Sequence, residues 1–273
     1  MKKKMIVVIT ILAALLISAC GTQETLNSSS NASNEDKKVQ KIIVGTGTQF
    51  PNVCFIDEDG KLTGYDVELV RKIDEKLPEY EFEFKTMEFS NLLLSLETNK
   101  IDFIAHQMEV NQERQEKFLF NEEPYNIFPL HVTVHKDNND IHSIKDLKGK
   151  KAIVSATSNS VVFLEKYNKE NNAGIEIVYA GNGSDSTINQ IKTGRADATI
   201  TTPFSVDFSN DAVDAQQKVV GEPLLNSKVY FLLRKDETPL QKRIDEALVE
   251  LKKEGVVSEL SKKWLGADYT VNF

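Results

Sequence analysis

The chain has 273 residues, of which 40% are hydrophobic and 27% are charged, with 33 Lys and Arg against 41 Asp and Glu. This composition excludes a fibrous, collagen-like or wholly disordered protein. The net charge of -8 argues against a nucleic-acid-binding protein, which concentrates basic residues. Two cysteines are too few for a disulfide scaffold. At roughly 150 residues per domain, the length predicts about two domains.

The first twenty residues predict export. Lysines at positions 2–4 precede an apolar run over residues 5–17, and small residues follow. This order is typical of a secretory signal peptide, here residues 1–19, and the run is short for a membrane-spanning helix. The segment Ile17-Ser18-Ala19-Cys20 resembles the lipobox of bacterial lipoproteins, which implies that Cys20 is lipid-modified and becomes the mature N-terminus. The alternative is a signal peptide that ends beside a cysteine by chance.

The next segment, residues 20–38, is a predicted tether. It consists almost wholly of polar and charged residues, and Leu26 is its one large apolar residue. Such a segment buries too little surface to offset the entropy of ordering it, so we expect a flexible, lipid-anchored linker. The protein would therefore be a globular head held at the extracytoplasmic face of the cell membrane by an acyl (palmitate) anchor.

From residue 41 onward, apolar runs alternate with amphipathic stretches. A strand is predicted over Ile42–Val44, and Asp59-Gly60 predicts a hairpin turn because both positions of this dipeptide tolerate positive φ. Helical spacing from Val67 to Leu77 stops at Pro78. The alternation predicts an α/β architecture with largely parallel sheets covered by helices. The remaining predicted strands cover 80–84, 101–105, 127–134, 152–154, 175–179, 198–201 and 229–233, and the remaining predicted helices cover 89–96, 111–117, 160–167, 187–193, 240–251 and 257–264.

Signatures of catalytic and metal sites are missing from the sequence. There is no G-x-S-x-G, H-E-x-x-H or phosphate-loop motif. His131 and His135 lie four apart in a strand-like pattern, where roughly 13 Å would separate them, too far to share a zinc ion. We therefore predict no metal, no cofactor and no enzymatic activity. With Cys20 acylated, Cys54 has no partner in the chain, and we expect it to be a small buried hydrophobic residue.

One arginine stands in an informative context. The segment His106-Gln107-Met108-Glu109-Val110-Asn111-Gln112-Glu113-Arg114 is followed by Phe118-Leu119-Phe120-Asn121-Glu122-Glu123-Pro124-Tyr125. Here the chain resembles the polar amino-acid substrate-binding proteins of ABC transporters (solute-binding protein family 3), whose motif reads roughly small-Met-Thr-x-Thr-x-Glu-Arg, then Phe-Ser-x-Pro-Tyr. Further segments of the resemblance occur in the family's order, at 60–69, 99–102, 144–151, 194–198 and 264–266.

The resemblance implies a two-lobed clamp with a type II periplasmic-binding-protein-like fold. Each lobe would be a mixed, mostly parallel sheet flanked by helices, lobe 1 comprising 39–129 and 225–273 and lobe 2 comprising 130–224. Two crossing strands near 128–132 and 224–229 would be the hinge. A small amino-acid ligand would bind between the lobes and stabilise the closed form. The implied partners are the permease and ATPase subunits of an ABC importer, and the head would be a monomer.

Arg114 corresponds to the family arginine that binds the ligand's α-carboxylate. Its guanidinium can make two charge-assisted hydrogen bonds to one carboxylate, which a lysine cannot reproduce. The alternative is an ordinary surface arginine on a charged helix.

Other candidate residues come from the same resemblance. Phe50 and Phe89 fall where the family places aromatic pocket walls, although packing in the core would explain them equally well. Gln107 lies in the motif itself. Ser158, Asn159 and Ser160 precede or open a predicted helix, where free N–H groups would bind the ligand carboxylate from the other side. Simple helix capping is sufficient to explain these three residues.

The chain departs from the family pattern at two positions. Thr202 stands where the family usually has the aspartate that pairs with the ligand's α-ammonium, and a threonine cannot neutralise a buried ammonium. Glu109 stands where the family has Thr or Ser. We hypothesise that Glu109 or Asp185 replaces the missing charge; alternatively, Glu109 pairs with Arg114 or lies in solvent.

The motif segment, Thr202-Pro203-Phe204 and the lipobox together resemble the branch of the family that binds L-cystine. The ligand implied is L-cystine or a related sulfur amino acid, whose two ammonium groups would suit extra acidic residues. Alternatives are another polar amino acid such as glutamine, a dehydratase-like enzyme on the same fold, or a surface domain with no small ligand.

Overall fold

One mixed sheet connects most strands of the protein. The computed structural model describes residues 39–181 and 184–271, without the side chains of Ser184 and Asp185. The predicted signal peptide, Cys20 and the linker lie outside the described residues. The strands are β1 (Gln40–Thr46), β2 (Gln49–Phe50), β3 (Cys54–Ile56), β4 (Leu62–Thr63), β5 (Tyr80–Thr86), β6 (Phe103–Glu109), β7 (Leu119–Phe120), β8 (Asn126–His135), β9 (Lys151–Val154), β10 (Glu176–Tyr179), β11 (Ala198–Thr201) and β12 (Gln217–Leu233).

Helices cover this sheet, as the predicted α/β class requires. No helix among the residues that the structure describes has the length and apolarity needed to cross a membrane. The helices are α1 (Tyr65–Lys76), α2 (Phe89–Glu97), α3 (Gln112–Lys117), α4 (Asn159–Asn171), α5 (Ser184–Lys192), α6 (Pro203–Val213), α7 (Thr238–Lys253) and α8 (Val256–Leu265).

The strand order of the large sheet is β10-β9-β11-β8-β12-β6-β1-β5, with β7 beside β12. Strand β1 pairs in parallel with β5 and β6, and β9 pairs in parallel with β10 and β11, whereas β8 and β12 are antiparallel to their neighbours. We call β1–β7 with α1–α3, α7 and α8 the first half, and β9–β11 with α4–α6 the second half. Strands β8 and β12 run through both halves.

Each half has its own hydrophobic core. In the first half, Leu69 of α1 and Leu248 of α7 pack with Phe103 and Phe231 of the sheet. In the second half, a separate cluster forms around Val132, Ala152, Leu164 and Ala198. Two cores joined by two long strands give a fold in which the space between the halves is walled by loops and strand ends.

The two long strands lose register where they pass between the halves. Val220 pairs with Val132 and Leu225 pairs with Leu130, so four residues of β12 lie opposite one residue of β8. Gly221 has a φ of 71° at this break, and a Cβ there would approach the backbone oxygen of His142 to 2.9 Å. A glycine is therefore required at this position.

The start of α1 shows how the sequence positions an element. Gly64 precedes the helix with a φ of 118°, and a Cβ there would lie 2.5 Å from the backbone oxygen of Val53. The backbone N–H of Asp66 donates to that same oxygen at 3.1 Å. Acidic residues in the first turn and Lys76 in the last turn match the helix dipole, and Pro78 follows the end.

Most predicted elements are confirmed, but the sequence interpretation missed helix α6, the short strands β2 and β7, and most of strand β12. Helix α6 was not predicted, although Thr202 caps its N-terminus and Pro203 occupies its first turn, a typical start signal. Strand β12 begins at Gln217, twelve residues before the predicted 229–233, because its pairing with β8 stabilises a segment that has little strand pattern of its own.

Candidate functional site

A cavity of about 280 Å³ lies between the two halves, slightly below the range of roughly 300–1,000 Å³ that is usual for small-molecule sites. Strand β8 contributes Phe128 and Leu130 to its wall. The lining residues of the first half include Phe50, Glu88, Phe89, His106, Gln107, Glu109 and Arg114. Those of the second half include Ser158, Asn159, Ser160, Thr187, Ser205, Ser209 and Gln217.

Arg114 lies in α3 and is only 3% exposed. The side chain of Asn111 caps this helix by accepting from the Arg114 backbone N–H at 2.8 Å. The guanidinium donates from Nη1 to the Glu109 backbone oxygen at 2.7 Å and from Nη2 to the Thr157 backbone oxygen at 2.9 Å, while Nε is buried without a partner. Burial lowers the pKa of Arg114, but an arginine keeps its charge in proteins. The cavity wall therefore contains a fixed cation whose Nε–H donor has no partner among the described residues.

Glu109 brings an opposite charge to the same wall. It is 5% exposed, and its Oε1 has no hydrogen-bond partner among the described residues. Burial raises the pKa of Glu109, while Ser227, Arg114 and Asn159 act in the opposite direction. A buried carboxylate with one oxygen free can accept hydrogen bonds from an ammonium group, and together with Arg114 it forms an acceptor–donor pair suited to a zwitterion.

The predicted aromatic walls have a third ring between them. The ring centroid of His106 lies 5.3 Å from that of Phe50 and 4.9 Å from that of Phe89. Burial, with a smaller contribution from Arg114, lowers the pKa of His106 to about 4, so the imidazole is neutral at pH 7. A Cβ on Gly47 would lie 2.8 Å from the imidazole Nε2, which requires a glycine beside this ring.

Gln107 lines the cavity, but its side chain is used inside the first half. Its Nε2 donates to Asp66 Oδ1 at 2.5 Å, and its Oε1 accepts from Asn126 at 2.8 Å. Its φ is 48°, at a bulge where β6 loses register with β12. Asp66 also accepts from the Gln107 backbone N–H at 2.8 Å and from the Tyr125 hydroxyl at 2.9 Å. Burial raises the pKa of Asp66 to about 6.

This network fixes the strained strand that carries the site. Gln107 lies between His106 and Glu109 in β6, so its backbone conformation determines where both side chains are directed. A non-glycine residue at positive φ costs on the order of 1–3 kcal/mol and persists only where its surroundings hold it. Asp66 supplies that support from beneath the cavity.

The opposite wall is the loop before α4. Ser158 precedes the helix in an extended conformation, makes no side-chain capping bond and has a buried hydroxyl without a partner. Asn159 accepts from Asn111 Nδ2 at 2.7 Å and donates to the Val110 backbone oxygen at 3.3 Å. With the bond from Arg114 to Thr157, these contacts join the two halves directly beside the cavity. The hydroxyl of Ser160 donates within its own half to Ile200 at 3.4 Å.

Among the predicted ligand-binding residues whose side chains the structure describes, Thr202 does not line the cavity. Thr202 is fully buried as the N-cap of α6, where its hydroxyl accepts from the Ser205 backbone N–H at 3.3 Å. The side chain of Asp185 and the whole of Cys20 lie outside the described residues.

Sequence reasoning missed several lining residues, among them Glu88, His106 and Gln217. Glu88 directly precedes Phe89, and a charged residue beside a predicted aromatic wall was the available signal. His106 opens the motif segment, but no pattern indicates that its ring lies between two phenylalanines. Gln217 begins a strand segment that was not predicted, so no local sequence pattern indicates that it lines the cavity from the second half.

Cys54 behaves as a buried hydrophobic residue. It is free and fully buried, and burial raises the pKa of its thiol to about 12. The thiol therefore stays protonated at neutral pH and is a poor nucleophile. Among the described residues, no group of three or more His, Cys, Asp or Glu side chains could hold a metal ion.

Comparison with known proteins identifies the class to which this architecture belongs. Residues 42–267 match the model of the bacterial extracellular solute-binding proteins, family 3. The chain is 54% identical over 255 residues to the L-cystine-binding protein TcyK of Bacillus subtilis, covering 93% of both chains. It is 49% identical over 269 residues to the L-cystine-binding protein TcyJ of the same organism, covering 98% of this chain and 97% of the other.

A solved structure agrees with these relatives. The structure named "Putative L-Cystine ABC transporter from Listeria monocytogenes" superimposes with a TM-score of 0.81 at 61% identity, covering 85% of this chain and 98% of the other. The chain therefore belongs to the bacterial extracellular solute-binding proteins, family 3, and has the α/β fold of that family. The relatives named here are binding proteins rather than enzymes.

Proposed function

We propose that this protein is the substrate-binding subunit of an amino-acid ABC importer and that its ligand is L-cystine or a related sulfur amino acid. The observation that carries the proposal is the pair formed by Arg114 and Glu109, both buried in the wall of the cavity between the halves. Arg114 Nε and Glu109 Oε1 each lack a partner among the described residues, so a ligand with a carboxylate and an ammonium group would satisfy both.

The choice of L-cystine is supported by the relatives. TcyK and TcyJ of Bacillus subtilis are both named as L-cystine-binding proteins, and both match almost the whole chain. Calorimetry of the purified protein with L-cystine, L-cystathionine, L-glutamine, L-histidine and L-glutamate tests the proposal. We expect saturable binding of L-cystine and no turnover of it; tighter binding of L-glutamine or release of a new product would contradict the proposal.

We further propose that residues 39–129 with 225–273 and residues 130–224 act as two lobes that close on the ligand. The register break between β8 and β12 supports a hinge there, since irregular pairing bends more easily than a continuous ladder. Small-angle X-ray scattering with and without L-cystine measures the change. A smaller radius of gyration on binding is the expected result, and an unchanged one argues against closure.

A lipid anchor on Cys20 is the last part of the proposal. A lipid on Cys20 would hold the head at the extracytoplasmic membrane face, next to the permease and ATPase subunits, as a monomer. Mass spectrometry of the protein extracted from membranes should find acyl groups on Cys20, and Cys20→Ser should release the protein into the medium. Retention of the Cys20→Ser protein on the membrane would contradict the anchor.

A further inference from the structure

In the second half, the cavity wall includes residues other than those of the loop that contacts Arg114. They include Thr187 of α5, Ser205 and Ser209 of α6, and Gln217 at the start of β12. We call these four residues the distal arm. Among the described lining residues of the second half, none has a titratable side chain, so the distal arm offers hydroxyl and amide groups only.

Gln217 has an unused hydrogen-bond donor in this arm. The residue is 7% exposed, and its Nε2 is buried without a hydrogen-bond partner among the described residues. Buried polar groups in folded proteins are nearly always hydrogen-bonded, so the Nε2 donor of a residue that lines the cavity is free to bind a group that arrives with a ligand.

The backbone of Gln217 is held in place independently of its side chain. Its N–H donates to Asn210 Oδ1 at 2.9 Å, and its carbonyl oxygen accepts from Asn210 Nδ2 at 2.9 Å. It also pairs with His135 of β8 in the sheet. The amide is therefore presented from a rigid strand, and a change of the side chain alone leaves these backbone contacts intact.

We infer that the distal arm is a second polar subsite, which accepts the far polar head of an elongated amino acid, with Gln217 Nε2 donating to a carboxylate or carbonyl oxygen of that head. The inference rests on the proposed function, because Arg114 and Glu109 must hold the first head for the second to reach the arm. Hydroxyl and amide groups can donate to the carboxylate and accept from the ammonium of a zwitterionic head, and because the two charges of that head sum to zero, an uncharged subsite leaves no net charge buried.

The inference makes Gln217 a specificity-determining residue. It predicts that a ligand with two polar heads binds more tightly than one that ends in a methyl group. L-cystine and S-methyl-L-cysteine are the probes, because they share the first head with its methylene and sulfur, and S-methyl-L-cysteine ends in a methyl group where L-cystine continues through a second sulfur to the second head. We expect the wild-type protein to prefer L-cystine by at least tenfold, which corresponds to about 1.4 kcal/mol.

Calorimetry with Gln217→Leu, which removes the donor and keeps an uncharged side chain one bond shorter, tests the residue. We expect this variant to bind L-cystine at least tenfold more weakly and S-methyl-L-cysteine within twofold of wild type. Ser209→Ala should weaken L-cystine binding about threefold and should leave S-methyl-L-cysteine binding within twofold of wild type. Gln40→Leu makes the same change at an exposed position outside the cavity and should keep both affinities.

The outcomes separate this inference from the function on which it rests. A Gln217→Leu protein that keeps the preference for L-cystine, or that weakens both ligands equally, overturns the inference alone. Wild-type protein that binds neither ligand overturns the proposed function and the inference with it. A crystal structure of the L-cystine complex is an independent check, with a ligand oxygen expected within 3.5 Å of Gln217 Nε2; a second head directed towards solvent would overturn the subsite.

Discussion

The two halves contribute different chemistry to the cavity. The first half supplies the charged groups, Arg114 and Glu109, together with a neutral His106, and places all three on or beside one strained strand. The second half supplies hydroxyl and amide groups and the N-terminus of α4. Buried charges need rigid, fully bonded surroundings, and the first half has them in the network under Gln107.

This difference suggests that the two halves have different roles. The first half would bind the charged groups of the ligand, and the second half would close over the ligand and discriminate between ligands of different length. The predictions below test that difference in roles, beginning with the residue on which it most depends.

Replacement of Arg114 should have the largest effect. Arg114→Ala removes the cation and its free donor, and we expect it to weaken L-cystine binding by about 2–5 kcal/mol, measured by calorimetry. Arg114→Lys should recover only part of the loss, because an ammonium cannot make the paired bonds of a guanidinium. Arg195→Ala, at an exposed position of the second half, is the matched control and should bind normally. Equal affinities for all four proteins would remove Arg114 from the site.

The buried titratable groups of the first half predict opposite pH dependences. The pKa of His106 is lowered to about 4 by burial, so its contribution to stability is present above its unfolded pKa of about 6.5 and is lost as the pH falls towards 4. The pKa of Asp66 is raised to about 6, so its contribution is present below about 4 and is lost as the pH rises through 6. In the wild-type protein the two contributions largely cancel.

Single substitutions should expose each contribution. Between pH 7 and pH 4, the free energy of unfolding of His106→Gln should rise relative to wild type by about 2–3 kcal/mol, and that of Asp66→Asn should fall by a similar amount. Urea unfolding at four pH values measures both. His142→Gln and Asp59→Asn, at exposed positions, should follow the wild-type curve. Slopes of the same sign for His106→Gln and Asp66→Asn would contradict the assignment of these two groups.

Removal of the carboxylate at position 109 should have a smaller effect on binding. Glu109→Gln keeps the shape of the side chain but loses the charge, and we expect L-cystine binding to weaken by about 1–3 kcal/mol. Glu88→Gln is the informative comparison, because Glu88 is the other acidic residue among the described lining residues. If Glu88→Gln weakens binding and Glu109→Gln does not, the ammonium partner is Glu88, which would correct the hypothesis but leave the charges in the first half.

The contacts between the halves should have the smallest effect. Asn159→Ala removes the bonds to Asn111 and Val110, and we expect a loss of about 0.5–1.5 kcal/mol in ligand affinity. Because these bonds form only when the halves meet, stopped-flow measurements should find the change mainly in the dissociation rate. Asn171→Ala, in the same helix but outside the cavity lining, is the control, because the Asn171 amide bonds within its own helix to the Tyr167 backbone oxygen. A slower association rate with unchanged dissociation would contradict a closing contact.

Local sequence signals were sufficient for most of the fold. The turn at Asp59-Gly60, the helix that stops before Pro78 and the alternating strand at 80–84 all follow from residues within a few positions of each other. By contrast, the first part of β12 exists because β8 lies beside it, which no local pattern reports. Helix α6 had a local signal in Thr202-Pro203, but the resemblance to the family directed attention to Thr202 as a ligand contact.

The candidate site was predictable where a motif covers it. The motif led to Arg114, Glu109 and Gln107, and the structure brings all three to one cavity wall. What the sequence could not reveal is how their atoms are used: Gln107 bonds inward to Asp66, and His106 lies between Phe50 and Phe89. The contacts of Gln107 with Asp66 and of His106 with Phe50 join residues more than forty positions apart.

The pairing of Val132 with Val220 has a consequence for the exchange of segments between related proteins. Neighbouring strands lie about 5 Å apart, so the chain leaves the first half and returns to it at almost one point. The intervening ninety or so residues behave as an insertion in a hairpin, and a short turn could replace them. A chimera that joins this insertion from a relative to the first half of this protein would need only two junctions, which lie side by side. Exchange of the insertion could therefore change ligand selectivity without altering the core of the first half.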